Sequence, residues 1–384
     1  MKSNFKVGVL TQPLHNNYGG LLQAYAFKEV LKSLNCEVVI VNRVAPEVPR
    51  WRLLASRIKT LITGRTVYPK PKMTQQQKYI ISKKTRAFKE KYIQEESSEI
   101  SSMSGLKRLN NQSYQAFIVG SDQCWRPKYS PKIENYFLDF VKDDSQTKRI
   151  SYAASFGTSD WEFTEKQTQR CKNLITKFDA ISVRESSAVD LISRYLGRDD
   201  AVHVLDPTML LDKSCYQSIV ERDKCDDIKG ELKAYVLDNS PDKIKFIKCI
   251  EERLGATQFE IMPKKRLEQD TLTNNNIHEF QFPSPLEWLY GFTKAEFVVT
   301  DSFHGTVFSI LFNIPFITIV NERRGVARFE SLLQMFGLSD RFVTDLNEIN
   351  VDQFLDTEID WKSVNQILEQ ERVKAFKFLK DSVA

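Results

Sequence analysis

A compact polar cluster interrupts an apolar stretch in the segment VVTDSFHGTVFSILF. A strand-like run ends at Thr300, the cluster holds Asp301, Ser302, His304 and Gly305, and an apolar helix-like run resumes at once. At a helix N-terminus the dipole opposes protonation of a histidine and favours a bound anion. The cluster therefore predicts an anion site with a general acid or base, and a purely structural histidine is the alternative.

A second polar junction, TQPLHNNYGG, lies between the first predicted strand and the first predicted helix. Asn16, Asn17 and Tyr18 precede two glycines. Such a loop exposes backbone N–H groups that bind an anion or a sugar hydroxyl, and a plain turn is the alternative. Because the loop lacks the GxGxxG spacing, a dinucleotide site and nicotinamide or flavin chemistry are disfavoured.

A third junction, VGSDQCW, follows an apolar strand directly. Here Ser121 and Asp122 offer polar groups, and an exposed Trp125 would stack on a sugar face. Asp122 is a candidate general base toward a sugar hydroxyl, with the cap of a following helix as the alternative.

Arginines mark two more junctions. In SVRES, Arg184 ends a strand and Glu185 opens a helix, and a guanidinium there holds a carboxylate or phosphate through two hydrogen bonds. A structural Arg–Glu ion pair is the alternative. In NERRGVARFESLLQ, Arg323 and Arg328 are candidates to reach the same anion.

The elements that position these residues alternate between strand and helix periodicity. FKVGVLT, LLQAYAFKEVLKSLN and CEVVIVN form a β-α-β unit, which predicts an α/β fold with parallel sheets. The pattern predicts two doubly wound, Rossmann-like lobes over residues 1–205 and 206–345, joined where Pro207 forces an extended step. Residues 346–384 are predicted to form a C-terminal helical segment that packs across the lobes.

Composition narrows the class of protein. The chain has 384 residues, of which 41% are hydrophobic and 27% charged, as in globular proteins. No run approaches the roughly 20 apolar residues that span a bilayer, and the N-terminus enters a strand without a signal peptide, so a cytoplasmic protein is expected. Six scattered cysteines without a CxxC pair predict reduced thiols, and neither cysteines nor carboxylates predict a metal site.

A basic insertion at residues 48–89 departs from this alternation. It holds twelve Lys and Arg and no Asp or Glu, and subtracting them from the net charge of +5 leaves −7 for the rest of the chain. Within residues 50–72, WRLLASRIKTLI has a tryptophan-bearing apolar face and a basic face, which is typical of membrane-surface helices. An ordinary packed surface helix is an equal alternative. Nucleic acid is disfavoured because the aromatics are not interleaved with the charges.

Taken together, NNYGGLLQAYAFKEVLKSL, FIVGSDQCW, ISYAASFG, ISVRE, VLDPTMLL and TDSFHGTVFSI resemble the polysaccharide pyruvyl transferase family. The resemblance runs from about Val7 to Leu338. It implies a glycosyltransferase B-like fold with two facing lobes. It also implies pyruvyl transfer from phosphoenolpyruvate to a sugar of a capsule, an exopolysaccharide or a lipid-linked precursor, with a ketal and phosphate as products. In that family the histidine of SFHG and an arginine of the first lobe are linked to the donor, here His304 and Arg184.

With that chemistry, residues take expected roles. His304, Asp122 and Asp301 are the expected acid and bases. The expected donor site comprises Arg184, Ser302, His304, Gly305, Arg323 and Arg328. The expected acceptor site comprises Asn16, Asn17, Tyr18, Ser121 and Trp125. No cofactor is expected, with phosphoenolpyruvate as a substrate and the use of a divalent ion left open, and the enzyme is expected in the cytoplasm, peripheral on the inner face of the membrane.

Two other functions stay open on the sequence. A nucleotide-sugar glycosyltransferase needs acids such as Glu322 or Glu330 placed for ribose hydroxyls, and the fold serves that chemistry equally well. A non-catalytic polysaccharide-binding protein is the third reading.

Overall fold

Two parallel β-sheets organise the computed structural model, which describes residues 5–46, 73–223, 229–267, 270–321, 324–346 and 349–383. The first sheet has six strands in the order β2-β1-β3-β4-β5-β6. They are β1 (Phe5–Leu10), β2 (Cys36–Ile40), β3 (Ala116–Gly120), β4 (Lys148–Ala154), β5 (Ala180–Val183) and β6 (Val202–His203).

The second sheet has five strands in the order β11-β10-β9-β7-β8. They are β7 (Leu232–Tyr235), β8 (Gln258–Glu260), β9 (Phe297–Thr300), β10 (Phe316–Ile319) and β11 (Phe342–Val343). In each sheet the first strand of the lobe lies between its second and third strands. The strand order therefore reverses between β1 and β3 and again between β7 and β9, and ligands of such sheets bind beyond the carboxyl ends at these points.

Helices cover the sheets, which explains why strands such as β3 are buried along their whole length. The first lobe holds α1 (Tyr18–Ser33), α2 (Gln75–Ile81), α3 (Lys83–Phe88), α4 (Met103–Arg108), α5 (Glu165–Ile175) and α6 (Ser186–Leu191). The following part holds α7 (Lys213–Asp223), α8 (Pro241–Leu254), α9 (Pro285–Lys294), α10 (Phe303–Phe312), α11 (Ala327–Met335), α12 (Val351–Asp356) and α13 (Trp361–Val383). The predicted α/β fold with two doubly wound lobes is confirmed.

Local sequence signals explain several helix starts. Thr164 and Ser284 each form a capping box at the N-termini of α5 and α9, and Ser240 caps α8 with a proline in its first turn. β11 was not predicted, because its two residues stand between polar neighbours, whereas the equally short β6 lies in a longer apolar run.

The chain passes from β6 to α7 through residues 204–212, here called the crossover segment. Its backbone carbonyls are held from three sides. Tyr152 Oη donates to Leu205 O at 3.0 Å, Tyr216 Oη donates to Thr208 O at 2.8 Å, and Arg372 Nε of α13 donates to Met209 O at 2.7 Å. The crossover segment is therefore fixed to β4, α7 and α13.

The predicted helix within residues 50–72 lies outside the described residues. In the described remainder of the basic insertion, acids from elsewhere pair with two lysines: Lys84 Nζ lies 2.6 Å from Glu287 Oε1 and Lys89 Nζ lies 2.8 Å from Glu96 Oε2. Part of the local positive charge is thus compensated by the fold. In the part of the chain that the structure describes, no helix has the length and apolar character needed to cross a membrane.

Candidate functional site

Arg184 extends from the carboxyl end of β5 into the junction between the lobes, with only 3% of its surface exposed. Its Nη1 donates to Asp206 Oδ2 at 3.0 Å, and Nη2 lies 3.7 Å from Asp122 Oδ1. The guanidinium carbon lies 4.6 Å from the centre of the Phe303 ring in α10 of the second lobe. Burial opposes the charge of Arg184, but Asp206 and Asp122 outweigh burial and raise the pKa above its ordinary value.

His304 lies in the first turn of α10 and faces the same point from the second lobe. Its Nε2 lies 3.8 Å from Asp206 Oδ2. Burial lowers the pKa of His304 to about 4, helped by Arg184 and Arg328 and opposed by Asp206 and Asp122. The imidazole is therefore neutral at physiological pH in the free protein.

Arg328, in the first turn of α11, brings a second guanidinium to the cluster. Its guanidinium carbon lies 5.4 Å from the centre of the Phe303 ring, and Nη2 donates to Arg324 O at 3.1 Å. Burial, followed by repulsion from Arg184, lowers the pKa of Arg328 to about 10. The two arginines and His304 thus converge around Phe303.

Several buried nitrogen atoms of this cluster have no hydrogen-bond partner among the residues that the structure describes. They are Arg184 Nε and Nη2, Arg328 Nε and His304 Nε2. Leaving a buried polar group without a partner costs roughly 1–3 kcal/mol, and more for a charged group. Three of these atoms are donors on two guanidinium groups, and Nε2 of His304 is a donor when it carries a proton. This arrangement is suited to a bound anion that accepts hydrogen bonds.

A contact between the lobes explains why position 19 is glycine. A Cβ atom built on Gly19 would overlap the imidazole of His304. Gly305 has a similar reason, since a Cβ there would overlap Oγ1 of Thr300. Ser302 is buried at the N-cap of α10, where its backbone N–H donates to Thr300 Oγ1 at 3.1 Å. These residues shape the site through backbone contacts.

Asp122 lies at the carboxyl end of β3, in a loop and not at the start of a helix, so the capping alternative is wrong. Its backbone has a φ of 66°, a left-handed conformation that aspartate tolerates better than most residues and that concentrates at functional sites. Its Oδ1 accepts from the N–H of Gln123 at 2.8 Å. Asp122 therefore remains beside Arg184 with carboxylate acceptor capacity to spare.

Asp301 does not suit the role of a base. It is fully buried, and its carboxylate accepts from Leu237 N at 2.6 Å, Asp238 N at 3.1 Å, Lys243 Nζ at 2.7 Å and Asn321 Nδ2 at 3.1 Å. A carboxylate held by four donors in the core has no oxygen free for a sugar hydroxyl. The expectation of a catalytic Asp301 is corrected to a structural role that joins the loops after β7, β9 and β10.

Trp125 was expected to be exposed, and the structure corrects this. The side chain is fully buried, its ring centre lies 5.0 Å from that of Phe137, and Nε1 donates to Tyr136 O at 2.8 Å. Trp125 therefore belongs to the core of the first lobe and offers no face to a sugar. The exposed aromatic of this loop is Tyr129.

The other expected acceptor residues are divided. Ser121 joins the cluster, since its Oγ donates to Asp206 Oδ2 at 3.0 Å. Asn16 Oδ1 accepts from Thr85 Oγ1 at 2.7 Å, and Asn17 is exposed at the N-cap of α1. Tyr18 is buried, with its ring centre 6.0 Å from that of Trp288, which contradicts an open sugar-binding face. Arg323 and Glu322 lie outside the described residues, and Glu330 is exposed on α11.

Two acids of the site were missed or misread in the sequence. Asp206 is central to the cluster, but the sequence was interpreted there only as a lobe junction. Glu185 was weighed as an ion-pair partner of Arg184, whereas its Oε1 accepts from Ser155 Oγ, Phe156 N and Gly157 N at 3.1, 2.7 and 3.0 Å. The available signal was an acid shortly after a strand: Glu185 lies two residues after β5, and Asp206 lies three residues after β6, whose own two residues are not buried. Across the described ranges, no group of three potential ligands is placed to hold a metal ion.

Comparison with known proteins gives a family and a fold. The family model "Polysaccharide pyruvyl transferase" matches residues 17–323. Among curated proteins, none has a sequence that matches the chain significantly.

Solved structures resemble the whole chain at low sequence identity. A putative UDP-N-acetylglucosamine 2-epimerase from Listeria monocytogenes has a TM-score of 0.54 at 9% identity, covering 96% of this chain and 91% of its own. Arabidopsis thaliana UGT89C1 complexed with UDP-L-rhamnose has 0.51 at 8%, covering 98% of both chains. UDP-GlcNAc 2-epimerase from Neisseria meningitidis bound to UDP-GlcNAc has 0.50 at 12%, covering 98% of this chain and 99% of its own. These likenesses show the glycosyltransferase B-like fold alone.

Proposed function

Since the chain belongs to the polysaccharide pyruvyl transferase family, we propose that it transfers the pyruvyl group of phosphoenolpyruvate to a sugar of a surface polysaccharide or of its lipid-linked precursor. The observation that carries this proposal is the convergence of unpartnered, buried nitrogen atoms from Arg184, Arg328 and His304. Phosphoenolpyruvate bears a phosphate and a carboxylate, and two guanidinium groups match two such anionic groups.

Donor binding would change the charge state of His304. In the free protein this histidine is neutral because burial lowers its pKa to about 4. A bound phosphate and carboxylate bring negative charge next to the ring, which raises the pKa and favours the imidazolium. His304 then becomes a general acid, a role that typically contributes 10² to 10⁴-fold to the rate.

The reaction balances with one acid and one base. His304 gives its proton to the methylene carbon of phosphoenolpyruvate, which becomes the methyl group and leaves a cationic centre at the adjacent carbon. One sugar hydroxyl adds to that carbon and loses its proton to the base, for which Asp122 is the better candidate. The C–O bond to phosphate then breaks, the second hydroxyl adds, and its proton leaves with the phosphate or returns to His304.

Entry of the substrates requires the lobes to separate, because Arg184, His304 and Arg328 are all almost fully buried. The contacts between the lobes are both apolar and polar: Tyr18 of α1 packs on Trp288 of α9, with ring centres 6.0 Å apart. Ser186 of α6 and Ser331 of α11 are joined by two hydrogen bonds of 3.0 Å, from Ser186 N to Ser331 Oγ and between the two hydroxyls. A closed site of this kind excludes water from the cationic intermediate.

The glycosyltransferase alternative has less support in the second lobe. Beyond β7 and β9, where a nucleotide is expected in this fold class, the polar groups are engaged with one another. Asp238 accepts from Arg324 Nε at 2.8 Å and from Asn321 Nδ2 at 2.6 Å, and Arg266 Nη1 donates to Leu237 O at 2.7 Å. The open donors lie between the lobes instead, which favours a small anionic donor.

Product analysis tests the proposal. Protein incubated with a glycan acceptor and phosphoenolpyruvate should release inorganic phosphate, whereas a nucleotide-sugar transferase would release a nucleoside diphosphate from the corresponding donor. His304→Ala should lower phosphate release by at least 10²-fold, and His278→Ala, a change at an exposed histidine, is the matched control. Normal release by His304→Ala would overturn the assignment. Sugar binding without affinity for phosphoenolpyruvate would favour a non-catalytic binding protein.

A lipid-linked acceptor would place the enzyme at the inner face of a membrane. Residues 50–72 carry seven positive charges and no acid, and each basic residue near anionic lipid contributes about 1 kcal/mol to binding. Deletion of residues 50–72 should reduce sedimentation with phosphatidylserine vesicles and spare activity on a soluble acceptor. Unchanged sedimentation would contradict the membrane contact.

A further inference from the structure

Asp206 lies at the centre of the cluster and has no role in the reaction proposed above. Its carboxylate is fully buried. Oδ2 accepts from Ser121 Oγ and from Arg184 Nη1, both at 3.0 Å, and lies 3.8 Å from Nε2 of His304. One carboxylate oxygen thus contacts the residues that directly follow β3 and β5 of the first lobe and faces α10 of the second.

The other oxygen ties Asp206 to its own segment. Oδ1 accepts from the N–H of Thr208 at 3.0 Å and from Thr208 Oγ1 at 2.7 Å. Burial works against the charge, but His304, Arg184 and the bonds from Thr208 keep the pKa of Asp206 below its ordinary value. The group is therefore an anion at physiological pH, with both oxygens engaged, and is not available to take a proton from a sugar.

Four side-chain hydrogen bonds hold the carbonyls of the crossover segment that carries Asp206. Tyr152 and Tyr216 donate one each, at 3.0 and 2.8 Å, and Arg372 donates two, both at 2.7 Å. His203, just before the segment, has its Nε2 2.9 Å from the carbonyl oxygen of Arg184. Because this backbone is fixed, the side chain of Asp206 keeps a defined position relative to groups on both lobes.

We infer that Asp206 is a positioning residue that fixes the guanidinium of Arg184 and the imidazole of His304 relative to each other across the lobe junction. Ser121, which was expected in the acceptor site, instead donates a hydrogen bond that helps to hold the carboxylate of Asp206. Because the crossover segment links the lobes, the donor site is assembled only when α10 brings His304 to Asp206. This inference rests on the proposed function for its catalytic consequence, but its geometry concerns the free protein.

The charged groups around His304 allow a test that does not depend on activity. Asp206, Asp122, Arg184 and Arg328 all act on the ring. Asp206→Asn keeps the shape and removes the negative charge nearest to Nε2. The pKa of His304 should then fall below its value of about 4, so that at pH 4 the ring is mostly neutral in the variant and about half protonated in the wild type.

The experiment is an NMR titration of the free protein with ring-labelled histidine, with His304 assigned from the spectrum of His304→Gln. Thr208→Val is the matched control, since it removes a hydroxyl that holds Asp206 and leaves the charge in place, and it should leave the titration of His304 unchanged. In activity assays Asp206→Asn should lose about 10²-fold in kcat/KM for phosphoenolpyruvate, the loss expected of a misplaced catalytic group.

Folding is checked by the near-ultraviolet circular dichroism of each variant. If Asp206→Asn does not fold, Asp206→Glu, which keeps the charge and lengthens the side chain, should keep the pKa of His304 and still lose kcat. The inference would be overturned if a folded Asp206→Asn had wild-type kcat/KM, or if Asp206→Glu did where it takes the place of Asp206→Asn. An unchanged titration of His304 in Asp206→Asn would also overturn it. Failure of the wild type to release phosphate from phosphoenolpyruvate would contradict the proposed function alone, since the titration is read without substrate.

Discussion

Gly19 of the first lobe lies directly against the imidazole of His304 in the second lobe, so that any Cβ atom at position 19 would overlap the ring. The contact joins the first turn of α1 to the first turn of α10. The ring of His304, the proposed acid, can therefore keep its position only if residue 19 of the other lobe is glycine. The requirement for glycine is one of space and not of backbone conformation, since Gly19 is not among the described residues with a positive φ.

Gly19→Ala should lower phosphate release by at least about 10-fold, because the new methyl group displaces the ring of His304 from its donor-facing position. The matched control is Gly20→Ala, whose Cβ would find its nearest atom, Nδ2 of Asn17, at an ordinary 3.5 Å. Gly20→Ala should keep its activity and gain up to about 1 kcal/mol in unfolding free energy from helix propensity. Steady-state assays and urea denaturation of both variants measure the two effects, and equal activities would contradict the contact.

The pH dependence of stability reports the burial of His304. Its pKa is about 4 in the folded protein against the ordinary 6.5, so below pH 6.5 the unfolded chain binds a proton that the folded protein does not bind until about pH 4. Stability is therefore lost as the pH falls through that window, by about 3 kcal/mol for this one group.

The measurement compares urea unfolding at pH 7 and pH 4 in the wild type and in His304→Gln. The wild type should lose about 3 kcal/mol more than the variant between these pH values, since the other titrating groups are common to both proteins. Parallel losses would show that His304 is not desolvated.

The sequence predicted that His304 and Arg184 each lie at the end of a strand, where ligands of parallel sheets bind. Arg184 follows β5 of the first sheet and His304 follows β9 of the second, so their meeting depends on how the two lobes pack. The sequence did not show which polar groups would find hydrogen-bond partners within the folded protein. Asp301 is held by Lys243 and by backbone groups near Leu237, far away in the chain, and no local pattern records those contacts.

Asp206 and Trp125 illustrate the same limit. In the sequence, Asp206 next to a proline indicated an extended step between lobes, and its contacts with Ser121, Arg184 and His304 arise only in the folded chain. Trp125 follows a strand into a loop, and whether the loop folds back on the core depends on Phe137 and Tyr136. Strand ends predict where a site lies, whereas the burial of each side chain there depends on tertiary packing.

Trp125 and Tyr129 offer a comparison within one loop. Trp125→Ala should lower the unfolding free energy by about 3–5 kcal/mol, because it removes a fully buried ring and its hydrogen bond to Tyr136. Tyr129→Ala, at a side chain that is 38% exposed, should cost less than about 1 kcal/mol. Chemical denaturation gives both values, and a small effect at Trp125 would restore it as a candidate surface residue.

Arg328 should show a conflict between stability and donor binding. Its charge is buried, its Nε has no partner among the described residues, and burial lowers its pKa to about 10. Replacing such a charge by an apolar side chain stabilises the free protein, so Arg328→Leu should gain about 1–3 kcal/mol in unfolding free energy. The same change removes one of the two guanidinium groups proposed for the donor, so calorimetric affinity for phosphoenolpyruvate should fall by at least 10-fold.

Arg324→Leu is the control: Arg324 pairs with Asp238 at a half-exposed position, and its loss should lower stability by no more than about 1 kcal/mol. A destabilised Arg328→Leu that still binds phosphoenolpyruvate would show that this guanidinium supports the fold and not the donor.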